Sequence, residues 1–558
     1  MMKQIKKFIF DNNLDGYIVP KNNCYFTEYS NTNNLAKITN FTGSAGFALI
    51  LKNKNYLFVD GRYTLQAKKQ SGKNFNIVEI PYSWPKNLVE IKNAKIGFDA
   101  RLFTMETLKR YFEKKANLVP INFNFNIKEK KKINFIYKLD NKTVGESSNK
   151  KIRKIKNYLF KKKINYLYVS ASENVNWLLN IRGKDLPNSP LANCKMIIST
   201  RGKSFIFTNL NKAFYLNKNE FKNIIFYEED YFFRIISSLK IGSFCIDKNT
   251  CSIFENQVLS SMFKISSYTD PIYDLKSIKN EIEIKNTAKA HIEDGVALTK
   301  FLYWFKFNKK KITEKQVEKK LQYFRNKSKN YLFPSFDTIA GFGPNGAIIH
   351  YKSNNKTNRQ LKKNEVLLID SGGQYKWGTT DVTRTIISGV ASSKLKNNFT
   401  RVLKAHIAVI NCNIKRKSNG YLIDKLARKH LIKNGLDYAH GTGHGVGFFL
   451  NVHEGPQSLS KYNKLPIKEG MILSNEPGYY LKNKYGIRIE NLICVKKIKQ
   501  NLKFKNLTFA PIDLDLINFN LLTKKERDYL FDYHLETYAK LSKYLNNKEK
   551  QWLLNLIK

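Results

Sequence analysis

Between Leu367 and Val495 the chain carries four carboxylates and one imidazole, each inside or at the end of a short β-type run. They are Asp370 in LLIDSGG, Asp381 in TTDVTRT, His444 in HGTGHGVG, Glu476 in SNEPGYY and Glu490 in GIRIENLICV. Taken singly, each reads as a turn residue, a cap or a solvated charge. As an ordered set they supply what a cleft needs to hold two hard divalent cations. Oxygen-dominated donors with one nitrogen and no thiolate favour manganese, with zinc, cobalt or iron as substitutes. Two such ions polarise a carbonyl, lower the pKa of a shared water and stabilise the tetrahedral oxyanion, which is hydrolytic chemistry.

The elements that must position these groups are legible nearby. Residues 365–370 have the pattern of a buried strand, Ser371-Gly372-Gly373 is turn chemistry, and residues 379–388 are β-branched and alternating. This pattern predicts Asp370 and Asp381 on adjacent antiparallel strands, where side chains on one face share an ion. Asp381 should share its strand face with Thr383 and Thr385, and Glu490 its own with Arg488 and Leu492. Facing carboxylates without a cation repel, which raises the pKa of at least one. The four alternating glycines of HGTGHGVG leave no bulk beside the imidazoles, and with no Lys-Ser/Thr following they are not a phosphate loop.

The motifs FTGSAG, VDGRYTLQA, GPNGAIIHY, LLIDSGGQYKWGTTDVTRT, HGTGHGVGFFLNVHEGP, MILSNEPGYY and GIRIENL are spread over most of the chain. With them the sequence resembles the M24 metallopeptidases of pita-bread fold, in the long, three-domain Xaa-Pro aminopeptidase (aminopeptidase P) branch. No metal-ligand position departs from that pattern. The resemblance implies α/β and α+β architecture: two creatinase-like N-terminal α/β domains, 1–135 and 147–272, a pita-bread catalytic domain, 277–498, and a C-terminal extension, 499–558. It implies that Asp370 binds one metal, that Asp381 and Glu490 bridge both, and that His444 and Glu476 bind the other. Glu476 would also take the proton from the attacking water. His453 and His440 would stabilise the gem-diolate and pass a proton to the leaving proline nitrogen, and His350 would help to seat the prolyl residue; the division of labour among the three stays open. Arg62 of DGRY matches an arginine that family members send into the substrate cleft, and reads equally as a turn-end arginine in a surface ion pair.

The implied substrates are peptides with proline in second position. An Xaa-Pro bond is a tertiary amide without an N–H, so a site that needs that donor cannot bind it. Phe342, Phe448 and Phe449 are candidates for an apolar bed under the ring, or plain core. Two other functions fit the same residues less well: an Xaa-Pro dipeptidase (prolidase), and a catalytically dead pita-bread module that binds partners through a basic surface.

That surface follows from a formal net charge of +52 in 558 residues. Lys, Asn and Ile are abundant everywhere, including 52–55 and 128–132, as an A/T-rich codon bias would produce. The basic residues form no RGG run, zinc finger or aromatic-interleaved platform, so no specific nucleic-acid partner is expected, only weak attraction to anions at low salt. The N-terminus lacks the apolar core of a signal peptide, and no run approaches the eighteen apolar residues of a membrane span. Six scattered cysteines without metal-finger spacing read as free thiols, and place the protein in the cytoplasm.

The length suggests three units. In the first, an amphipathic helix with Ile5, Phe8 and Ile9 precedes strands at 17–20, 47–51 and 56–60. The second repeats the plan, with a helix from Asn149, then INYLYVS, SFIFTNL, and KIGSFCID echoing KIGFDA at an offset near 145 to 150 residues. A long helix over 277–307 presents Ile284, Ala288, Ile292, Val296, Leu302 and Phe305 on one face. TEKQ at Thr313 is a capping box, and a further helix spans 394–411. His291, His406, His430 and His534 read as satisfied core or surface groups. The tail reads as a strand and two helices, with Leu530, Phe531, His534 and Tyr538 on one face, for a homodimer interface or for the domain's own core.

Overall fold

A computed structural model describes residues 1–29, 33–125, 134–415 and 418–557; the basic run 128–132 lies outside the described residues. The chain forms two compact units, Met1–Leu275 and Lys276–Lys558.

The first unit contains two six-stranded sheets of identical order. One runs Asn76–Ile80, Asn55–Asp60, Phe47–Leu51, Gly16–Pro20, Lys95–Phe98, Asn117–Pro120; the other runs Ile224–Tyr227, Ser204–Phe207, Lys195–Ser199, Tyr166–Val169, Ser243–Ile246, Lys264–Ser267. In both, the third strand of this order pairs antiparallel with its two neighbours and the other three pairs are parallel. The duplication is therefore one of topology. Its offset differs from the KIG echo. Ile96 pairs with Gly16 and Phe244 with Tyr166, an offset of 148 (244 − 96), whereas the two KIG triplets are 145 apart (240 − 95). Lys240-Ile241-Gly242 precedes its strand, because lysine-rich turns repeat such triplets cheaply. The equivalent residues are Asp99 and Asp247, each accepting the N–H two residues on, from Arg101 and Asn249.

In the second unit a three-stranded antiparallel sheet, Ile339–Phe342, Glu365–Ser371, Val382–Ser388, is covered on one face by the helix Glu281–Phe307. Leu298, Phe301, Leu302 and Phe305 pack there on Phe342, Leu367 and Ile369. The helix Ser393–Ile410 packs Phe399 and Leu403 against Val366 and Ile387, in a core that also takes Ile493 and Val495. A five-stranded sheet, Glu454–Leu459, Gly443–Gly445, Ile472–Asn475, Asn491–Ile498, Asn501–Asn506, completes the frame. The long helix starts at Glu281 rather than 277, because Asn280 and Glu283 form a capping box there; at Thr313 the expected box is present, with Gln316 accepting the Thr313 N–H at 2.8 Å. Ile512, Leu516, Leu530 and Tyr533 of the tail join the same core as Phe399. Phe531, expected on the buried face, is 41% exposed.

All six cysteines are free, and burial pushes the Cys412 and Cys494 thiols up, to about 12 and about 11. Among the described residues no helix is long and apolar enough to cross a membrane.

His534 is a core group that must be neutral. Its Nδ1–H donates to the Leu556 carbonyl at 3.0 Å, so Nε2 is free to accept the Ile512 N–H at 3.1 Å. Burial pushes its pKa down from 6.5 to about 4. The stabilisation is therefore complete above pH 6.5, where the unfolded chain is also neutral, and is lost as pH falls from 6.5 towards 4, because the unfolded chain takes the proton first. The loss expected from this group is on the order of 3 kcal/mol by pH 4. Denaturant unfolding at stepped pH should show His534→Gln with a shallower acid slope by up to one proton; an unchanged slope would contradict this.

Candidate metal centre

Burial on both faces explains why 365–371 is a continuous apolar run that ends in acid. Val366 packs towards the helix Ser393–Ile410, Leu367 and Ile369 towards the helix Glu281–Phe307, Leu368 packs on Ile339 and Tyr351, and Asp370 emerges at the strand's end. Asp370 pairs in register with Thr383. Asp381 lies one residue ahead of the strand Val382–Ser388, not within it, because Gly373–Tyr375 and Gly378–Thr379 turn off into a separate small sheet. Glu490 sits at the break between Tyr485–Arg488 and Asn491–Ile498; its N–H donates to the Thr383 carbonyl at 3.1 Å and its Oε2 accepts the Thr383 hydroxyl at 2.7 Å. Glu476 follows the strand Ile472–Asn475, with its N–H on the Thr442 carbonyl at 2.8 Å.

His444 occupies the middle of Gly443–Gly445, and the flanking glycines serve backbone approach. A Cβ on Gly443 would lie 1.9 Å from the Ser474 carbonyl oxygen, and one on Gly445 2.3 Å from that of Glu454. The His444 Nδ1–H donates to the Gly445 carbonyl at 2.9 Å, so Nε2 is the nitrogen turned towards the carboxylates. That atom lies 3.4 Å from Asp381 Oδ2 and 3.5 Å from Glu476 Oε1. One ligand atom each of Asp381, His444 and Glu490 falls within 4.8 Å of the others, a group that could hold a cation.

The electrostatics ask for one. Burial, then the charges of Asp381, Glu476 and Asp370, hold the Glu490 carboxyl well above its ordinary range. Burial raises Asp370 to about 6 against the opposing Arg488 guanidinium, and burial raises Glu476 as well. Burial disfavours a charged His444, yet the Asp381 hydrogen bond and the Glu476 charge lift it to about 9. Asp370 Oδ1 is buried with no hydrogen-bond partner. Excess buried negative charge, an orphaned carboxylate oxygen and an imidazole whose Nε2 is turned inward, and which would give up its proton to bind a metal, fit divalent cations.

Arg488 and Tyr480 were not singled out by the sequence. Arg488 donates from Nη2 to Asp370 Oδ2 at 2.6 Å, from Nε to the Thr383 hydroxyl at 3.1 Å and from Nη1 to the Tyr480 oxygen at 2.6 Å. His440 spends its Nδ1–H on the Gly441 carbonyl at 2.8 Å, so its Nε2 accepts the Tyr480 O–H at 2.8 Å; Nδ1 is 3.8 Å from Glu476 Oε2. The one available signal was position: Arg488 is two residues before Glu490, on its face. His453 packs edge-on to His444, with ring centroids 4.3 Å apart.

His350 is half-buried on a turn after the 3-10 segment Gly343–Ala347, closed by Ile348 N–H on Asn345 O and Tyr351 N–H on Ile348 O. Arg62 belongs to the first unit, where Nε and Nη2 fork on the two oxygens of Asp60 at 2.9 and 2.8 Å. Phe342 is core, stacked on Phe305, and Phe448 and Phe449 are buried too, so none is an exposed bed for a proline ring.

The model of metallopeptidase family M24 matches residues 285–497, the creatinase/prolidase N-terminal domain matches 1–123 and again 128–283, and the C-terminal region of peptidase M24 matches 500–558. The chain is 35% identical over 595 residues to the "Probable Xaa-Pro aminopeptidase P" of Laccaria bicolor, covering 99% of this chain and 92% of that protein. The chain belongs to metallopeptidase family M24. An X-prolyl aminopeptidase of Caenorhabditis elegans, described as a cytosolic enzyme with a di-nuclear active site, superposes at TM-score 0.94 with 27% identity, over 100% of this chain and 98% of that one. A prolidase of Thermococcus sibiricus, at 25% identity and TM-score 0.56, covers 66% of this M24 chain and 99% of its own.

Proposed function

We propose that this M24 chain is an Xaa-Pro aminopeptidase, hydrolysing the bond between an N-terminal residue and a following proline. The observation that carries the reading is the convergence of Asp381, His444 and Glu490 within 4.8 Å, beside Asp370 and Glu476, in surroundings of excess buried negative charge. Full-length similarity to an X-prolyl aminopeptidase, against two-thirds coverage by a prolidase, supports the aminopeptidase over the dipeptidase.

In this reading Asp370, Asp381, His444, Glu476 and Glu490 would hold two divalent ions, and the oxygen-rich donor set favours manganese. Bound there, the ions supply Lewis acidity for a carbonyl and acidify water. Glu476 would accept the proton given up by the attacking water, a general-base role open to a carboxylate with two oxygens. His453 and His440, the latter through the hydrogen bond it shares with Tyr480, would stabilise the oxyanion and pass the proton taken up by Glu476 to the proline nitrogen, a poor leaving group until protonated. Hydrogen bonds of this kind contribute about 2.7 to 4 kcal/mol each. Tyr480, held by Arg488, fixes the orientation of His440. His350 seats the prolyl residue. The reading extends to a cytosolic homodimer, and a solution mass near the single-chain 65.0 kDa would exclude the dimer.

The test compares manganese-loaded protein on Xaa-Pro-Yaa tripeptides and Xaa-Pro dipeptides. Release of the first residue from tripeptides is expected at a kcat/KM at least about tenfold above that for dipeptides. Near-exclusive dipeptide cleavage would overturn the assignment in favour of a prolidase.

A further inference from the structure

Glu314 is 0% exposed at the first position of the helix Glu314–Arg325, and its carboxylate is gripped entirely by uncharged donors. Oε1 accepts the Phe342 N–H at 2.8 Å and Asn345 Nδ2 at 2.9 Å; Oε2 accepts the Tyr351 hydroxyl at 2.7 Å and the Arg359 N–H at 2.9 Å, with Asn345 Nδ2 at 3.1 Å. The Arg359 guanidinium is turned instead to Glu365, at 2.6 Å. A buried anion without a cation on it is stable only if its hydrogen bonds are many and well placed, helped here by the helix N-terminus.

Those donors are spaced along one segment. Between the strands Ile339–Phe342 and Glu365–Ser371 the chain has a single 3-10 segment, Gly343–Ala347, and no named strand. Glu314 gathers it at 342, 345, 351 and 359, and His350 lies between the second and third of these points, next to Tyr351. We propose that Glu314 is a positioning residue for His350: it fixes the loop that presents the imidazole to substrate. The proposal rests on the reading of His350 as the side chain that seats the prolyl residue.

Glu314→Gln tests it at constant shape. An amide turns one acceptor into a donor that faces donors, so the loop loses at least one anchor and gains a repulsion. In manganese-loaded protein KM for Xaa-Pro-Yaa is expected to rise about tenfold, with kcat within about twofold and metal content unchanged. His350→Ala should raise KM similarly, and adding Glu314→Gln to it should raise KM no further. Amide exchange over 343–359 should quicken while 365–388 stays protected. Wild-type KM, an additive double variant, or slow exchange over 343–359 each overturn the proposal. If Glu314→Gln does not fold, Tyr351→Phe, which removes one donor, is read the same way. A wild type that cleaves no proline peptide sinks the functional reading, while the exchange measurement still decides whether Glu314 holds the loop.

Discussion

Asp381→Ala should lose the metal pair and turnover together. In the proposed reading Asp381 would contact both ions: its Oδ2 faces His444 Nε2 at 3.4 Å and its charge is the first neighbour to push Glu490 up. A bridging carboxylate cannot be replaced by water without separating the ions it joins. Bound manganese is expected to fall from two equivalents to one or none, and tripeptide turnover by on the order of 10³-fold or more, exceeding the loss of a single oxyanion donor. The metal-free fold should be unharmed, since removing one of four crowded acids relieves repulsion. Elemental analysis, the peptide assay and thermal unfolding in chelator check the three parts. A variant that keeps two ions and loses activity would show that Asp381 acts otherwise than as a ligand.

Arg384→Met should carry the largest stability effect. The guanidinium is buried and its five N–H groups reach six uncharged acceptors, one N–H being shared: Nε to Pro511 O at 3.0 Å, Nη1 to Thr383 O at 2.8 Å and Glu490 O at 2.7 Å, and Nη2 to Asn491 Oδ1, Ala510 O and the Tyr533 hydroxyl at 2.8, 2.9 and 2.8 Å. One side chain thereby staples the strand after Asp381, the peptide of Glu490 and the tail. Methionine fills much of the volume but leaves several buried carbonyls unpaired, which costs about 3–5 kcal/mol. Manganese affinity should fall with it, as Glu490 loses its backbone anchor, by about 10–100-fold. Denaturant unfolding and metal titration measure both; a loss below about 1 kcal/mol with unchanged affinity would contradict the account.

Arg384 also shows where the sequence was mute. Its partners lie from 1 to 149 residues away, and an arginine in an alternating strand looks like surface in a chain with 97 Lys and Arg. Arg488 and Tyr480 were hidden for the same reason: both stand in motifs that drew notice for neighbouring acids. What could be read were groups whose type and local pattern agree, such as an acid ending a run of buried aliphatics at Asp370 or the capping box at Thr313. The two six-stranded sheets were legible as a repeated plan, and their offset of 148 falls in the expected range of 145 to 150, although the KIG triplets themselves, 145 apart, do not superpose. At AIIHY the Glu314 carboxylate captures the Phe342 and Arg359 N–H groups and the Asn345 and Tyr351 side chains, and the chain turns, held by contacts too distant in sequence to be read there.

The most direct measurement is anomalous diffraction at the manganese edge from crystals of the metal-loaded protein. The account expects two peaks about 3.5–4 Å apart, one beside Asp370, the other beside His444 and Glu476, with Asp381 and Glu490 reaching both. A single peak, none, or peaks surrounded by other side chains would contradict it.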